Sequence, residues 1–140
     1  MYKNILVCVD LSKISTEATK KSLEIAKAFK SKIRICYIIN ISDILTQSAY
    51  SYAMNVDFDS LVIKPLQKEF SKFCAKFKLD EKNRFFIEGV PKEEILDLAK
   101  KTKTDLIILG GHGHSRLGML GSVASVVANK ASCNVLIVNK

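Results

Sequence analysis

The sequence predicts an α/β fold: one doubly wound domain with a five-stranded, mainly parallel sheet and four main helices. Five short apolar runs, separated by stretches with helical spacing, are the first observation. Strands joined by helices pair in parallel through right-handed crossovers, which places helices on both faces of the sheet. The length of 140 residues suits one domain, so we expect a single domain over residues 1–140.

The first half of the chain predicts two strands and two helices. Residues 3–9 and 33–40 are apolar on both faces, as in buried parallel strands. Between them lies a helix with Ser12 and Ser15 as candidate caps and an end near Ser31. Residues 42–60 show no periodicity and are interpreted as a long connection. A helix over residues 59–78 follows, with Pro65 in its first turn.

The second half predicts three strands and two helices. The strands lie at residues 84–88, 105–109 and 134–139. Pro91 opens a helix between the first two, and acidic residues in its first turn suit the helix dipole. A glycine-rich loop over residues 110–121 leads into the last helix, at residues 122–131.

Composition narrows the class of protein. Hydrophobic residues make up 48% and charged residues 26%, which excludes a disordered or collagen-like chain. No apolar run approaches the roughly 20 residues of a membrane helix, and Asp10 ends the first run too early for a signal peptide. We therefore expect no membrane association and a cytoplasmic location. Single cysteines without a Cys-x-x-Cys pair indicate reduced, buried thiols: Cys8, Cys36, Cys74 and Cys133.

The chain is basic, with a net charge of +8. Such a surplus attracts anions, but all except three of the basic residues are Lys, whereas base and phosphate recognition favours the forked guanidinium of Arg. Four lysines recur four residues apart in the second helix, at Lys64, Lys68, Lys72 and Lys76, as on a solvated helix face. We expect no specific nucleic-acid partner.

Five of the six glycines lie close together after the fourth strand: Gly110, Gly111, Gly113, Gly118 and Gly121. Glycine lets backbone N–H groups approach an anion, and the following helix points its positive end at the same place. This pattern favours a phosphate cradle over a merely flexible surface loop. It matches neither a P-loop nor a Rossmann fingerprint.

These motifs resemble those of a known family. The segments Val-Asp-Leu-Ser at residues 9–12 and Leu-Gly-Gly-His-Gly-His-Ser at residues 109–115 are similar to universal stress proteins. So are Leu-Gly-Ser-Val-Ala-Ser at residues 120–125 and the apolar end at residues 131–138. The resemblance covers the whole chain in element order and implies a Rossmann-like domain of the adenine nucleotide alpha hydrolase type.

The resemblance also implies a ligand. Many universal stress proteins bind ATP through Gly-x2-Gly-x9-Gly-Ser/Thr. Mg²⁺ would accompany the nucleotide through phosphate oxygens and water. It would place Asp10 and Ile38 beside the adenine, and Gly110 and Gly113 near the ribose and phosphates. The N–H groups offered to phosphate would come from Gly121, Ser122 and Val123. Seven residues instead of nine separate Gly113 from Gly121, so the loop is two residues short.

Three functions follow as hypotheses. The preferred one is an ATP-binding cytosolic stress-response regulator with little or no turnover. A slow ATPase or phosphotransferase is the enzyme alternative, although the sequence offers no argued general base. The third is a nucleotide-free interaction module whose working property is dimerisation. We expect a homodimer, paired through the apolar last strand at residues 135–138. His112 and His114 have no third ligand at recognisable spacing, so no metal site is predicted.

Overall fold

The computed structural model describes residues 1–42, 57–112 and 121–139. Five parallel strands form one sheet in the order β3-β2-β1-β4-β5. The strand bounds are β1 Asn4–Val9, β2 Lys32–Ile39, β3 Arg84–Glu88, β4 Leu106–Gly110 and β5 Asn134–Val138. Every predicted strand end is confirmed to within one residue, and the sheet is wholly parallel.

Within residues 1–42, 57–112 and 121–139, the faces of the sheet are covered by four α-helices. They are α1 Lys13–Phe29, α2 Lys64–Lys76, α3 Pro91–Lys101 and α4 Ser122–Lys130. The packed apolar layer on one face includes residues of α1 and α2, and the layer on the other includes residues of α3 and α4. The predicted doubly wound α/β domain is therefore confirmed.

The second helix differs from its prediction. A π-helical turn at Asp59–Ile63 precedes α2, where the sequence predicted one continuous helix over residues 59–78. Pro65 lies in the first turn of α2, as predicted. Because Pro65 has no N–H and its ring crowds the carbonyl four residues earlier, the turn before it widens. The four lysines of this helix are exposed, as a solvated face requires.

The central strand β1 is buried on both faces because its side chains alternate between the two apolar layers. Ile5, Val7 and Val9 pack towards α1 and α2, while Leu6 and Cys8 pack towards α3 and α4. At the amino end of β1, the Asp105 carboxylate accepts hydrogen bonds from the backbone N–H groups of residues 3 and 4, at 2.8 and 3.2 Å.

None of the helices in the described part of the chain combines the length and the apolar character that a membrane span requires.

Candidate functional site

A cavity of about 480 Å³ lies at the carboxyl ends of β1, β2 and β4. The chain runs outwards from β1 in both directions, to β2 on one side and to β4 on the other. Such a switch point is where doubly wound sheets bind their ligands. The lining residues are Cys8, Val9, Asp10, Ile14, Ser15, Cys36, Ile38, Pro91, Ile95, Leu109, Gly110, Gly111, His112, Gly121, Ser122 and Val123.

Six of the seven residues singled out from the sequence line this one cavity. They are Asp10, Ile38, Gly110, Gly121, Ser122 and Val123. The seventh, Gly113, lies outside the described residues, as does His114. Four separate stretches of the chain therefore meet at the cavity, at residues 10, 38, 110 and 121–123.

Asp10 is held in place at the point where β1 turns into α1. Leu11 adopts a left-handed backbone, with φ of 64°, and this reverses the chain direction directly after Asp10. Oδ1 of Asp10 accepts hydrogen bonds from the Ser12 backbone N–H at 3.0 Å and from the Ser15 hydroxyl at 2.8 Å. The Ser12 hydroxyl donates to the same oxygen at 2.5 Å.

The two serines therefore have a different role from the one predicted. Ser12 occupies the N-cap position of α1, but its side chain makes no capping bond and bonds to Asp10 instead. Ser15 donates to the Asp10 carboxylate and accepts from the Asp10 backbone N–H at 2.9 Å. Both hydroxyls fix the orientation of one carboxylate at the cavity wall.

The two ends of the glycine-rich loop approach each other closely. The Gly121 N–H donates to the Gly111 carbonyl at 2.6 Å, and the Gly111 N–H donates to the Val138 carbonyl at 3.0 Å. A Cβ on Gly110 would lie 2.5 Å from Cγ2 of Ile14, so the approach of α1 requires glycine there. The resemblance places the Gly121 N–H at a phosphate, but in this structure that N–H already donates to the Gly111 carbonyl.

The amino end of α4 faces the cavity. Gly121 is its N-cap and has no side chain to cap the first turn, and the first helical bond runs from the Ser125 N–H to the Gly121 carbonyl at 2.9 Å. The N–H groups of Ser122, Val123 and Ala124 thus precede the helical ladder. Together with the helix dipole, they make this wall of the cavity suitable for an anion.

The opposite part of the cavity is apolar. Cys8, Cys36, Ile38 and Leu109 rise from the sheet, and Ile95 covers them from α3. A flat aromatic ring fits such a slot between a sheet and a helix. The sequence motifs do not single out Ile95 or Pro91 as site residues, although Pro91 is recognised as a helix start. The available signal for Ile95 is its apolar position in the helix, which is equally typical of a core residue.

No group of three or more His, Cys, Asp or Glu side chains within residues 1–42, 57–112 and 121–139 is arranged to hold a metal ion. His112 lines the cavity beside Gly111. Asp10 is the acidic side chain among the lining residues. The described chemistry of the cavity is thus one oriented carboxylate, one imidazole, a helix amino end and an apolar slot.

Sequence comparison identifies the family. A model of the universal stress protein family matches residues 1–139. Universal stress protein A homolog 1 of Coxiella burnetii is 30% identical over 138 residues, which cover 98% of this chain and 96% of that protein. Universal stress protein MJ0531 of Methanocaldococcus jannaschii is 33% identical over 147 residues, covering 100% and 84%.

Solved structures agree with this assignment. Protein MJ0577 of Methanocaldococcus jannaschii has a TM-score of 0.76 at 25% identity, covering 100% of this chain and 97% of that one. A universal stress protein solved in complex with cAMP has a TM-score of 0.67 at 24% identity, covering 99% and 97%, and shows the same fold. The motifs, the fold and the full-length match agree: the chain belongs to the universal stress protein family.

Proposed function

We propose that this protein binds an adenine nucleotide, with ATP as the leading candidate, and acts as a cytoplasmic stress-response regulator with little or no turnover. The observation that carries the proposal is the pairing of an apolar slot with the amino end of α4 in one cavity. The apolar slot suits an adenine ring, and the amino end of α4 suits a phosphate group. The cavity volume of about 480 Å³ lies within the usual range for small-molecule sites.

Each part of the nucleotide has a proposed partner. The adenine lies between Ile38 and Ile95, and the Asp10 carboxylate accepts a hydrogen bond from an amine or hydroxyl of the ligand. The phosphates meet the N–H groups of Ser122 and Val123. Gly110 and Gly113 border the ribose and phosphates, as the family resemblance implies. Mg²⁺ accompanies the nucleotide through phosphate oxygens and water.

Little or no turnover is proposed because the carboxylate in the described cavity lining is already engaged in hydrogen bonds. Asp10 is the carboxylate among the described lining residues, and two hydroxyls donate to its Oδ1. A carboxylate whose oxygen is held in this way is suited to orienting a ligand. The cytoplasmic location is supported by the four cysteines, all of which are free thiols.

Substitutions at Ser122 test the phosphate contact. Ser122→Pro removes one first-turn N–H, at the helix position where proline fits best. The preceding Gly121 already has φ −61° and ψ 157°, a conformation that a following proline accepts. Ser122→Ala retains the N–H and serves as the matched control. We expect calorimetric titration to show at least tenfold weaker ATP binding in Ser122→Pro than in Ser122→Ala.

Titration of the unsubstituted protein decides the broader proposal. Adenosine, AMP, cAMP, ADP and ATP are titrated separately, each nucleotide with and without Mg²⁺, and phosphate release is followed in the same samples. Binding of at least one adenine nucleotide, with no burst of phosphate, is expected. If none of the ligands binds, the proposal is wrong. Measurable, Mg²⁺-dependent phosphate release that disappears in Asp10→Ala would support the slow ATPase alternative instead.

A second candidate function is a dimeric interaction module without nucleotide. The observation favouring it is the position of β5 at an edge of the sheet, with Val135, Leu136 and Ile137 only partly buried. Exposed apolar edges of this kind commonly pair with a second copy. Light scattering at micromolar concentration is expected to give twice the chain mass of 15.6 kDa. A monomeric mass would exclude this candidate.

A further inference from the structure

Two of the four cysteines lie next to each other in the floor of the cavity. Cys8 and Cys36 occupy paired positions on the neighbouring parallel strands β1 and β2. Both belong to the apolar layer packed against α3 and α4, and both line the cavity. Because neighbouring strands lie about 4.8 Å apart, two thiols at paired positions are within reach of one bound atom.

The two thiols also interact with each other. Cys8 is 7% exposed and Cys36 is 1% exposed, and both are free. A hydrogen bond to the Cys36 side chain, followed by burial, raises the pKa of the Cys8 thiol. The thiol therefore keeps its proton at neutral pH unless a ligand displaces it. A thiophilic metal ion does so, because a coordinating thiol is deprotonated on binding.

The residues around the sulfur atoms of Cys8 and Cys36 indicate which kind of metal ion would bind there. Ile38, Ile95 and Leu109 place aliphatic carbon around the two sulfurs, where a hard cation would need oxygen ligands. A structural zinc site needs four ligands, and no cluster of even three ligating side chains occurs in the part of the chain that the structure describes. Two thiolates, with no third His, Cys, Asp or Glu grouped with them among the described residues, suit a soft ion of low coordination number.

We propose that Cys8 and Cys36 form a two-coordinate binding site for a soft, thiophilic cation of the Cu⁺ class. Each thiol releases one proton to solvent and each sulfur forms one bond to the ion, whose oxidation state does not change. The resulting centre carries one negative charge. The amino end of α4 at the same cavity offsets it, whereas the Asp10 carboxylate opposes it. Binding does not require a nucleotide.

Anaerobic titration with Cu⁺ against a chromogenic Cu⁺ chelator tests this site. The unsubstituted protein is compared with Cys8→Ala and Cys36→Ala, and the matched controls are Cys74→Ala and Cys133→Ala. Cys74 packs in the layer on the opposite face of the sheet, and Cys133 lies outside the cavity lining. We expect one ion per chain, with affinity at least a hundredfold weaker in either floor variant and within threefold of the original in the controls.

X-ray absorption of the loaded, unsubstituted protein supplies a measurement that does not depend on variants folding. Two sulfur neighbours around copper, and no nitrogen or oxygen neighbour, are expected. Three or more ligands, or nitrogen ligands, would overturn the proposal. So would a titration in which the floor variants bind as tightly as the unsubstituted protein, or in which all four variants weaken equally.

Discussion

Gly110 lies where the carboxyl end of β4 packs against the first turn of α1. A Cβ built there would lie 2.5 Å from Cγ2 of Ile14, a side chain that lines the same cavity. Since Ile14 lies in the first turn of α1, the helix itself would have to shift to make room. The absence of a side chain at position 110 therefore lets β4 and α1 pack closely at the site. The effect of adding a Cβ there on the free energy of unfolding can be measured.

Gly110→Ala is expected to lower the free energy of unfolding by about 1–3 kcal/mol, as overpacking in a close-packed interior does. Urea unfolding followed by circular dichroism measures the change. Gly89→Ala is the matched control, because its Cβ would meet the flexible Glu94 side chain, with Cγ at 2.7 Å. Equal losses in the two variants would contradict the steric explanation.

The buried thiol of Cys74 is expected to make the free energy of unfolding depend on pH in the alkaline range. Burial raises the pKa of its thiol from 9.0 to about 11. The unfolded chain therefore loses this proton first, so stability from this group is complete below pH 9 and is lost as pH rises towards 11. The stability difference between the unsubstituted protein and Cys74→Ala should shrink over that interval in urea unfolding series. A constant difference from pH 7 to 11 would count against this linkage.

At the scale of elements, three segments end with a lysine in the left-handed region. Lys30, Lys78 and Lys103 have φ of 55°, 56° and 53°, and each follows the last turn of a helix. The N–H of Ser31 closes α1 by donating to the Ala26 carbonyl at 2.9 Å. Glycine is the usual residue at such positions, because it has no Cβ to strain.

Lys30→Gly is therefore expected to raise the free energy of unfolding by about 1 kcal/mol, measured by chemical denaturation. The matched control is Lys27→Gly, a lysine within α1 that is also exposed, which should lower stability by about 0.5–1 kcal/mol. Both substitutions replace lysine by glycine, but Lys30 has a left-handed backbone whereas Lys27 lies within the helix. Changes of the same sign would refute the argument.

The elements show which features a sequence alone predicts. All five strands were placed to within one residue, because apolar runs bounded by polar residues are a local signal. The π-helical turn before Pro65 was missed, since its widened geometry is a small deviation from the same helical spacing. The bond between Gly121 and Gly111 and the pairing of Cys8 with Cys36 depend on tertiary distance and strand register, which no local pattern encodes.

At the scale of the whole molecule, the net charge is +8, with 22 basic against 14 acidic side chains. The described residues contain three salt bridges, all between exposed groups, and exposed pairs contribute little. The lysines of α2 add like charges four residues apart on one helix face. Self-repulsion therefore lowers the stability of the compact state.

Added salt is accordingly expected to stabilise the protein. Raising sodium chloride from about 0.01 M to 0.1 M shortens the Debye length from about 30 Å to 10 Å, so thermal unfolding should move upwards by a few degrees. The control is the double variant Lys68→Glu, Lys72→Glu, whose net charge falls by four, from +8 to +4. Its midpoint should respond less to salt, and an equal response would contradict the repulsion argument.

The position of β1 at the middle of the sheet has a consequence for biosynthesis. Its first neighbour, β2, follows within about thirty residues, but its second neighbour pairs Ile5 with Leu106, roughly a hundred residues later. Until that stretch leaves the ribosome, the nascent chain carries a strand whose second hydrogen-bonding side is open and whose side chains are apolar. β1 is buried in the folded protein, but during synthesis its apolar side chains are exposed until β4 has been made. We therefore expect β1 to be a binding site for a chaperone on the nascent chain.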